Sequence, residues 1–482
     1  MANNPTKFKS GLTLSGPINT VAYFNASGNL ESESNFSYIT STNSFFFGNN
    51  TGGTITSSGS GSFAGGHAVT SGTIAATLSG TMAFGRADTS GIVRANAGEG
   101  SFALGYASGS GSVVTAPGSG VFSHGLATTG ATISATGSGS LAGGSVDGTS
   151  STMSANGAGS IIHGRVTGGG STTVLQANGS GCSTFGHVNG ALSQIVSDNN
   201  GSFASGAGVS GGQIRAIVDG SFARGFATGS SSTILANTSS GSFASGQAAS
   251  GGSVNGQGSG SHAMGFATGT NSILRASGQG SIAIGSAEAA GVLLASGTGS
   301  FAGGRISTTT ENITSSGVAS FAYGSRHNVS GNYASAFGLG HTVSSYGAFV
   351  VGQFADATGT AASSVATEPA FVVGIGVAGT PTNALSIGKD ANLKIYRTIT
   401  PAATTGNQTI NRPAGTVNFA ASETTLTVTN NLVTTDSIVM AVVRTNDSTA
   451  KIKNVIPAAG SFVINLDAAA TAETSVGFLV IN

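Results

Sequence analysis

A five-residue motif, Ser–Φ–Ala–x–Gly with Φ large and apolar, returns along most of this chain at near-constant spacing. It reads Ser62-Phe63-Ala64-Gly65-Gly66, Ser101-Phe102-Ala103-Leu104-Gly105, Ser281-Ile282-Ala283-Ile284-Gly285 and Ser320-Phe321-Ala322-Tyr323-Gly324. The closing glycines are separated by 19 to 22 residues through the middle of the chain and by 14 from Gly324 to Gly338 and Gly338 to Gly352. Self-similarity at a fixed period is the signature of a stacked solenoid, and it constrains the fold more than any other signal.

The chain has 482 residues with 79 glycines and only 7% charged residues. Gly/Ser richness alone describes a flexible linker. Here Phe, Ile and Val recur in fixed slots, so each repeat has apolar surface to bury. Seventeen basic and 17 acidic residues cancel, and no basic stripe exists. No nucleic-acid partner is therefore expected. Cys182 is the single cysteine, which excludes an intrachain disulfide framework. Residues 1–9 lack the apolar run of a secretory signal, and no stretch approaches the ~18 apolar residues of a membrane helix. The expectation is a chain with no export signal and no membrane insertion.

Residues 261 to 280 illustrate one repeat. Ser261 to Gly265 and Ile273 to Ala276 have strand character, and glycines between them permit turns with positive φ. Two short strands and two turns make one coil. Glycine density and the absence of a 3.6-residue period disfavour helix.

Side chains alternate along a strand. Ser, Ala and Gly of the motif therefore share one face, and Φ and x the other. The Φ column, expected to be the structural core of the repeat, contains Phe63, Phe102, Phe122, Phe203, Phe222, Phe243, Ile282, Phe301 and Phe321. Sequence leaves open whether this ladder fills the coil or meets a partner subunit. A second apolar column contains Ile74, Ile92, Val113, Ile133, Met153, Val174, Ile214, Ile234, Val254, Ile273, Val292 and Ile313. The Ser/Ala/Gly face is too small to bury much by itself, which leads to the expectation of a parallel homotrimer.

Ser281-Ile282-Ala283-Ile284-Gly285 and its relatives resemble the head repeat of trimeric autotransporter adhesins of the YadA-like type. That resemblance implies a trimeric parallel β-roll over roughly residues 44 to 390. The usual repeat of that family is 14 residues, matched here from Gly324 to Gly352 and from Gly374 to Gly388. Most repeats here carry about six more. The flanks are similar to bacteriophage tail-fibre segments: Val21 to Leu30 with Asn35-Phe36 on one side, and Ala370 to Ile395 on the other. The fold class expected is all-β: a trimeric parallel β-roll or β-solenoid of ~20-residue, then 14-residue, coils, with a C-terminal β-sandwich-like domain. The domains expected are an N-terminal virion-attachment or cap segment (1–43), the shaft (44–330), a neck of 14-residue repeats (331–397) and a tip (398–482).

The tip is read from separate strands at Leu426 to Thr429, Ile438 to Val443, Ser461 to Leu466 and Val476 to Ile481, with turn signals between them. Ile438 to Val443 is a nearly continuous apolar run, as in a buried strand.

Chemistry is sparse. The seven histidines occupy different slots, and no His-x-His, His-Glu-x-x-His or Cys-x-x-Cys is present. No metal or other cofactor is expected, although one histidine repeated around a three-fold axis would supply three ligands. Gly-x-Gly patterns sit in no strand–loop–helix unit. Cys182 takes a slot held elsewhere by serine and reads as a small buried thiol. Asp88, Glu99, Asp147, Asp198, Asp219, Glu288 and Glu311 form no paired-carboxylate cluster for glycoside cleavage. No enzymatic activity is expected.

These readings converge on a structural fibre and host-adhesion protein of a phage virion, extracellular. The resemblance implies contact with other virion tail proteins at the N-terminus and with a host surface receptor, glycan or protein, at the tip. Arg444, Asn446 and Asp447 are the candidate receptor contacts. The alternative is a bacterial surface adhesin or extracellular matrix-forming fibre. An ice-binding solenoid needs threonines in register, and those here, such as Thr128-Thr129, are not.

Overall fold

The computed structural model describes residues 20–24, 30–39, 41–168, 173–309 and 311–482, with backbone alone for 20–24 and 30–37. The described elements are all strands, most of them wound as a parallel β-solenoid of about 19 turns. The chain divides into two compact units, Met1–Arg326 and His327–Asn482.

In the first unit each rung contributes a motif strand and a shorter second strand, as in Phe222–Thr228 and Thr233–Ala236. Motif strands stack in parallel and in register, with Phe203 beside Phe222 beside Phe243 and Gly206 beside Gly225 beside Gly246. Second strands form their own parallel ladder, with Ile214 beside Ile234 beside Val254.

The closing glycine is required twice over. Gly225 has φ +142°, a conformation side chains rarely adopt, and a Cβ there would lie 1.9 Å from the Gly246 carbonyl oxygen. The same Cβ would lie 2.9 Å from the Ile234 Cδ1. The isoleucine of one sheet thus fills the space that the glycine of the other leaves empty.

The motif's Ser and Ala point inward. Ala64, Ala68, Ala103 and Ala107 are fully buried, as are Ile74 and Ile133 opposite them. The small face therefore meets the second sheet of its own coil and offers no surface to another chain, so it gives no reason for a trimer. Phe63, Phe102, Phe122, Phe203, Phe222, Phe243, Ile282, Phe301 and Phe321 lie on the outer face, each partly exposed. The reason is the alternation itself: a coil this thin has room for Ala against Ile, and none for stacked phenyl rings.

The second column is one residue out in five rungs. Val93, Val114, Leu175, Leu274 and Leu293 point inward, rather than Ile92, Val113, Val174, Ile273 and Val292. Each of those rungs has two adjacent apolar residues, and the preceding turn decides which faces in. Ile195 belongs to the same column, paired with Leu175 and Ile214.

The ladder begins on an antiparallel arrangement. Thr20–Phe24 pairs with Leu30–Ile39, which pairs with Ser44–Thr51, the first strand of the parallel stack. A solenoid needs such capping of its open edge. Residues 1–19, 25–29 and 40 of the expected cap segment (1–43), among them Asn25 to Asn29 of the tail-fibre-like stretch, lie outside the described residues.

The second unit carries short coils. Ser335–Leu339, Phe349–Gln353 and Pro369–Ile375 stack in parallel, with two-residue partners Asn328–Val329, Thr342–Val343 and Asp356–Ala357. The 14-residue step from Gly374 to Gly388 is not another coil. Asn383–Gly388 runs antiparallel to Pro369–Ile375, and Leu393–Ile395 antiparallel to it in turn. The tight turn at Val377 to Thr380, with Gly379 at φ +83°, reverses the chain and ends the stack.

Beyond it are two four-stranded sheets. One runs in the order Arg397–Ile399, Ala414–Phe419, Thr474–Ile481, Ile438–Val443; the other Gln408–Thr409, Thr425–Thr429, Ser461–Leu466, Ile452–Ala458. Val417, Phe419, Val476 and Phe478 from the first and Leu426, Val428, Phe462 and Ile464 from the second form one buried cluster. The Phe462 and Phe478 rings meet edge-on, 5.0 Å apart. Ile438–Val443 is an edge strand with alternating exposure, so it is not the fully buried strand its composition suggests. Both sets of alternating residues are apolar, which hides the two-residue period in the sequence.

Candidate binding surfaces

The outer face of the motif ladder carries stacked aromatic rings. Phe203–Phe222 and Phe222–Phe243 centroids are each 4.8 Å apart with interplanar angles of 8° and 2°. Phe102–Phe122 and Phe301–Phe321 repeat the arrangement at 5.0 and 4.5 Å. Rung spacing in a parallel sheet, ~4.8 Å, imposes this distance. Where the x slot holds glycine, a neighbouring ring lies over it. A Cβ at Gly143 would sit 1.9 Å from the His124 Cε1, and one at Gly303 would meet Phe301 and Tyr323. His124 stacks on Phe122 and on His163. Burial, with His163 beside it, lowers the His124 pKa and keeps the ring neutral. It serves as one more flat, uncharged ring in the stripe.

The acids of the coils are tied to neighbours. Asp88 pairs with Arg86 at 2.8 Å and accepts the Tyr106 hydroxyl at 2.8 Å. Asp198 pairs with Arg215 and accepts the Asn178 amide, which continues through Asn156 to Thr136 as a side-chain ladder across four rungs. Glu288 pairs with Arg305. Among the described residues no group of three His, Cys, Asp or Glu side chains is placed to hold a metal ion. Cys182 is buried, its thiol directed at the Ser197 carbonyl at 3.5 Å, and burial raises its pKa. That environment opposes the thiolate, the reactive form.

The three candidate contact residues of the C-terminal sheets separate into different roles. Asp447 holds two loops together. Its Oδ1 accepts the amides of Thr449 and Ala450, each at 2.9 Å. Its Oδ2 accepts the Thr471 amide at 2.9 Å and the Thr474 hydroxyl at 2.8 Å. These bonds, the amides of Ala450 and Thr449 foremost, hold its pKa far below the usual carboxylate range. Asn446 is exposed beside it on the loop. Arg444 lies elsewhere, at the end of edge strand Ile438–Val443, its stem packed over Gly477.

Arg444 borders a groove of about 350 Å³ on the outer face of its sheet. Arg397, Ala414, Met440, Val442 and Leu479 also line it. Met440 and Val442 are 50% and 62% exposed. Sequence reasoning found Arg444 and missed Arg397, Met440 and Val442. The available signal was Gly477, a residue without a side chain in an otherwise apolar strand.

Compared with models of known protein families and with curated proteins, the sequence matches none.

Proposed function

We propose that the chain is a homotrimeric fibre and adhesion protein of a phage virion that acts without catalysis. In this reading the coils are a spacer, and the C-terminal sheets form a β-sandwich tip that contacts a host-surface receptor. The observation that carries it is the outward aromatic stripe. Rings as large as those of Phe203, Phe222 and Phe243, repeated on successive rungs, present a continuous apolar strip. A strip of that kind marks an interaction surface. Other copies of the same chain have the same rung spacing and match it along its length. The resemblance of both flanks to tail-fibre segments supports the virion assignment. About fifteen rungs at ~4.8 Å each give the first unit a length of roughly 70 Å. Three weak sites on one fibre would act together.

The test is adhesion by the full chain and by a chain truncated after Tyr396. The full chain should adhere to bacterial cells of a susceptible strain, and the truncated chain should remain folded and lose adhesion. Equal adhesion by both would remove the tip assignment.

A further inference from the structure

We propose that the groove between Arg397 and Arg444 binds a carboxylate-bearing sugar residue of a surface polysaccharide. The inference rests on the adhesion reading above and supplies its ligand class.

Arg397 and Arg444 differ in their surroundings from Arg86, Arg215, Arg305 and Arg412. Arg86, Arg215 and Arg305 each face a carboxylate within ion-pair distance. Arg412 lies 4.1 Å over the Tyr396 ring and donates to its hydroxyl at 2.8 Å. Among the described residues no carboxylate pairs with Arg397 or Arg444. Arg397 and Arg444 line one groove together with Ala414, Leu479, Met440 and Val442, and strand pairing sets Ala414, Leu479 and Met440 in a row from Arg397.

The Arg444 stem rests on Gly477. A Cβ there would lie 3.1 Å from the Arg444 Cδ and 3.8 Å from the Val442 Cγ1. The groove volume of about 350 Å³ is at the lower end of small-molecule sites, which are mostly apolar with a few placed polar groups. An apolar floor suits the C–H face of a pyranose ring. A guanidinium fork matches the two oxygens of a carboxylate. A neutral sugar would leave both arginines without a partner. A second copy of the chain is a poorer occupant, because covering two unpaired guanidinium groups is costly.

The test is titration calorimetry on the full chain with trigalacturonic acid and sialyllactose, against galactotriose and lactose as neutral counterparts. At least one acidic sugar should bind, with both neutral sugars at least tenfold weaker, and added salt should weaken binding. Arg444→Ala and Arg397→Ala should each weaken it at least tenfold. Gly477→Val, which displaces the Arg444 stem and changes no charge, should do the same. Lys453→Ala, on the other sheet, should leave it unchanged. Equal binding of acidic and neutral sugars would overturn the proposal, as would competition by inorganic phosphate as effective as the acidic sugar itself. A fall in particle mass on Arg444→Glu would make the face a contact between copies and also overturn it. If the full chain adheres to cells and neither acidic sugar binds, this proposal fails and the adhesion reading stands. If the full chain adheres to no cells, the adhesion reading fails.

Discussion

The Nδ1 of His327 accepts the backbone amide of His341 at 3.3 Å, and the two rings stack 5.1 Å apart in the interior of the short coils. His341 repeats the bond one coil on. Its Nδ1 accepts the Ala355 amide at 3.1 Å, and its Nε2 donates to the Phe337 carbonyl at 2.9 Å. Both rings are 1% exposed. The bonds require neutral imidazole with the proton on Nε2, because a proton on Nδ1 would face an N–H group.

Acid should therefore loosen these coils. Burial lowers the His341 pKa below its ordinary value of 6.5, against smaller opposing contributions from the Phe337 and Gly352 backbone. A depressed histidine pKa means that the unfolded chain takes up a proton first. Stability is complete above pH ~6.5 and falls as the pH drops toward the folded-state value. Hydrogen exchange should show the Ala355 amide protected at pH 7 and faster at pH 5, beyond the intrinsic pH effect. Unchanged protection would contradict this role.

Two substitutions between glycine and alanine should have opposite signs. Gly144 has φ +137°, and a Cβ there would sit 2.0 Å from the Gly164 carbonyl oxygen. Gly144→Ala should cost about 3 kcal/mol or more. Ala319 occupies the left-handed turn position held by glycine in other rungs, such as Gly299 at φ +64° with nothing within 4 Å of its Cβ site. Ala319→Gly should gain about 1 kcal/mol. Urea midpoints of the two variants check both.

A recurring serine ties four of the longer outer turns to the next rung. Ser232 Oγ donates to the Thr228 carbonyl at 2.7 Å and accepts the Gly251 amide at 2.9 Å. Ser112, Ser193 and Ser272 do the same. Ser232→Ala should leave the part-buried Gly251 amide without this partner, the Thr228 carbonyl keeping only the Ser250 amide, and cost about 1–3 kcal/mol. Ser230→Ala, in the same turn, should cost much less; equal losses in the unfolding midpoint would count against the tie.

Cys182 should be silent in the native protein. Its thiol is buried with a raised pKa. Ellman's reagent should react with none of it at pH 8 and with one thiol per chain in denaturant. Cys182→Ser should fold normally, because Ser140, Ser160 and Ser202 fill the same slot. Rapid native labelling would show a different environment.

The period of the motif was enough to read two stacked strand ladders joined by glycine turns, because Gly225 and its relatives mark a backbone conformation that few other residues adopt. The facing of the motif was half legible. Alternation puts Phe222 and Ala223 on opposite sides, yet only the width of the coil decides that Ala223 is inside. The slot of Val93 against Ile92 depends on turn length and was not legible. The reversal at Gly379 was written as Ala378-Gly379-Thr380-Pro381, and the glycine spacing concealed it. At the C-terminal sheets, Arg444 was visible as a charged residue beside a strand. Its partner Arg397 lies 47 positions earlier in sequence and joins it only through the strand order.

The most direct test of the account is the mass of the full chain in solution. The aromatic stripe is read as a surface covered by two further copies, so light scattering at micromolar concentration should give three times 46.5 kDa. Replacing Phe203, Phe222 and Phe243 together by Ser, the residue that Ser183 already supplies in that column, should shift the mass toward one chain. A wild-type mass of 46.5 kDa, with the stripe left facing water, would contradict the account.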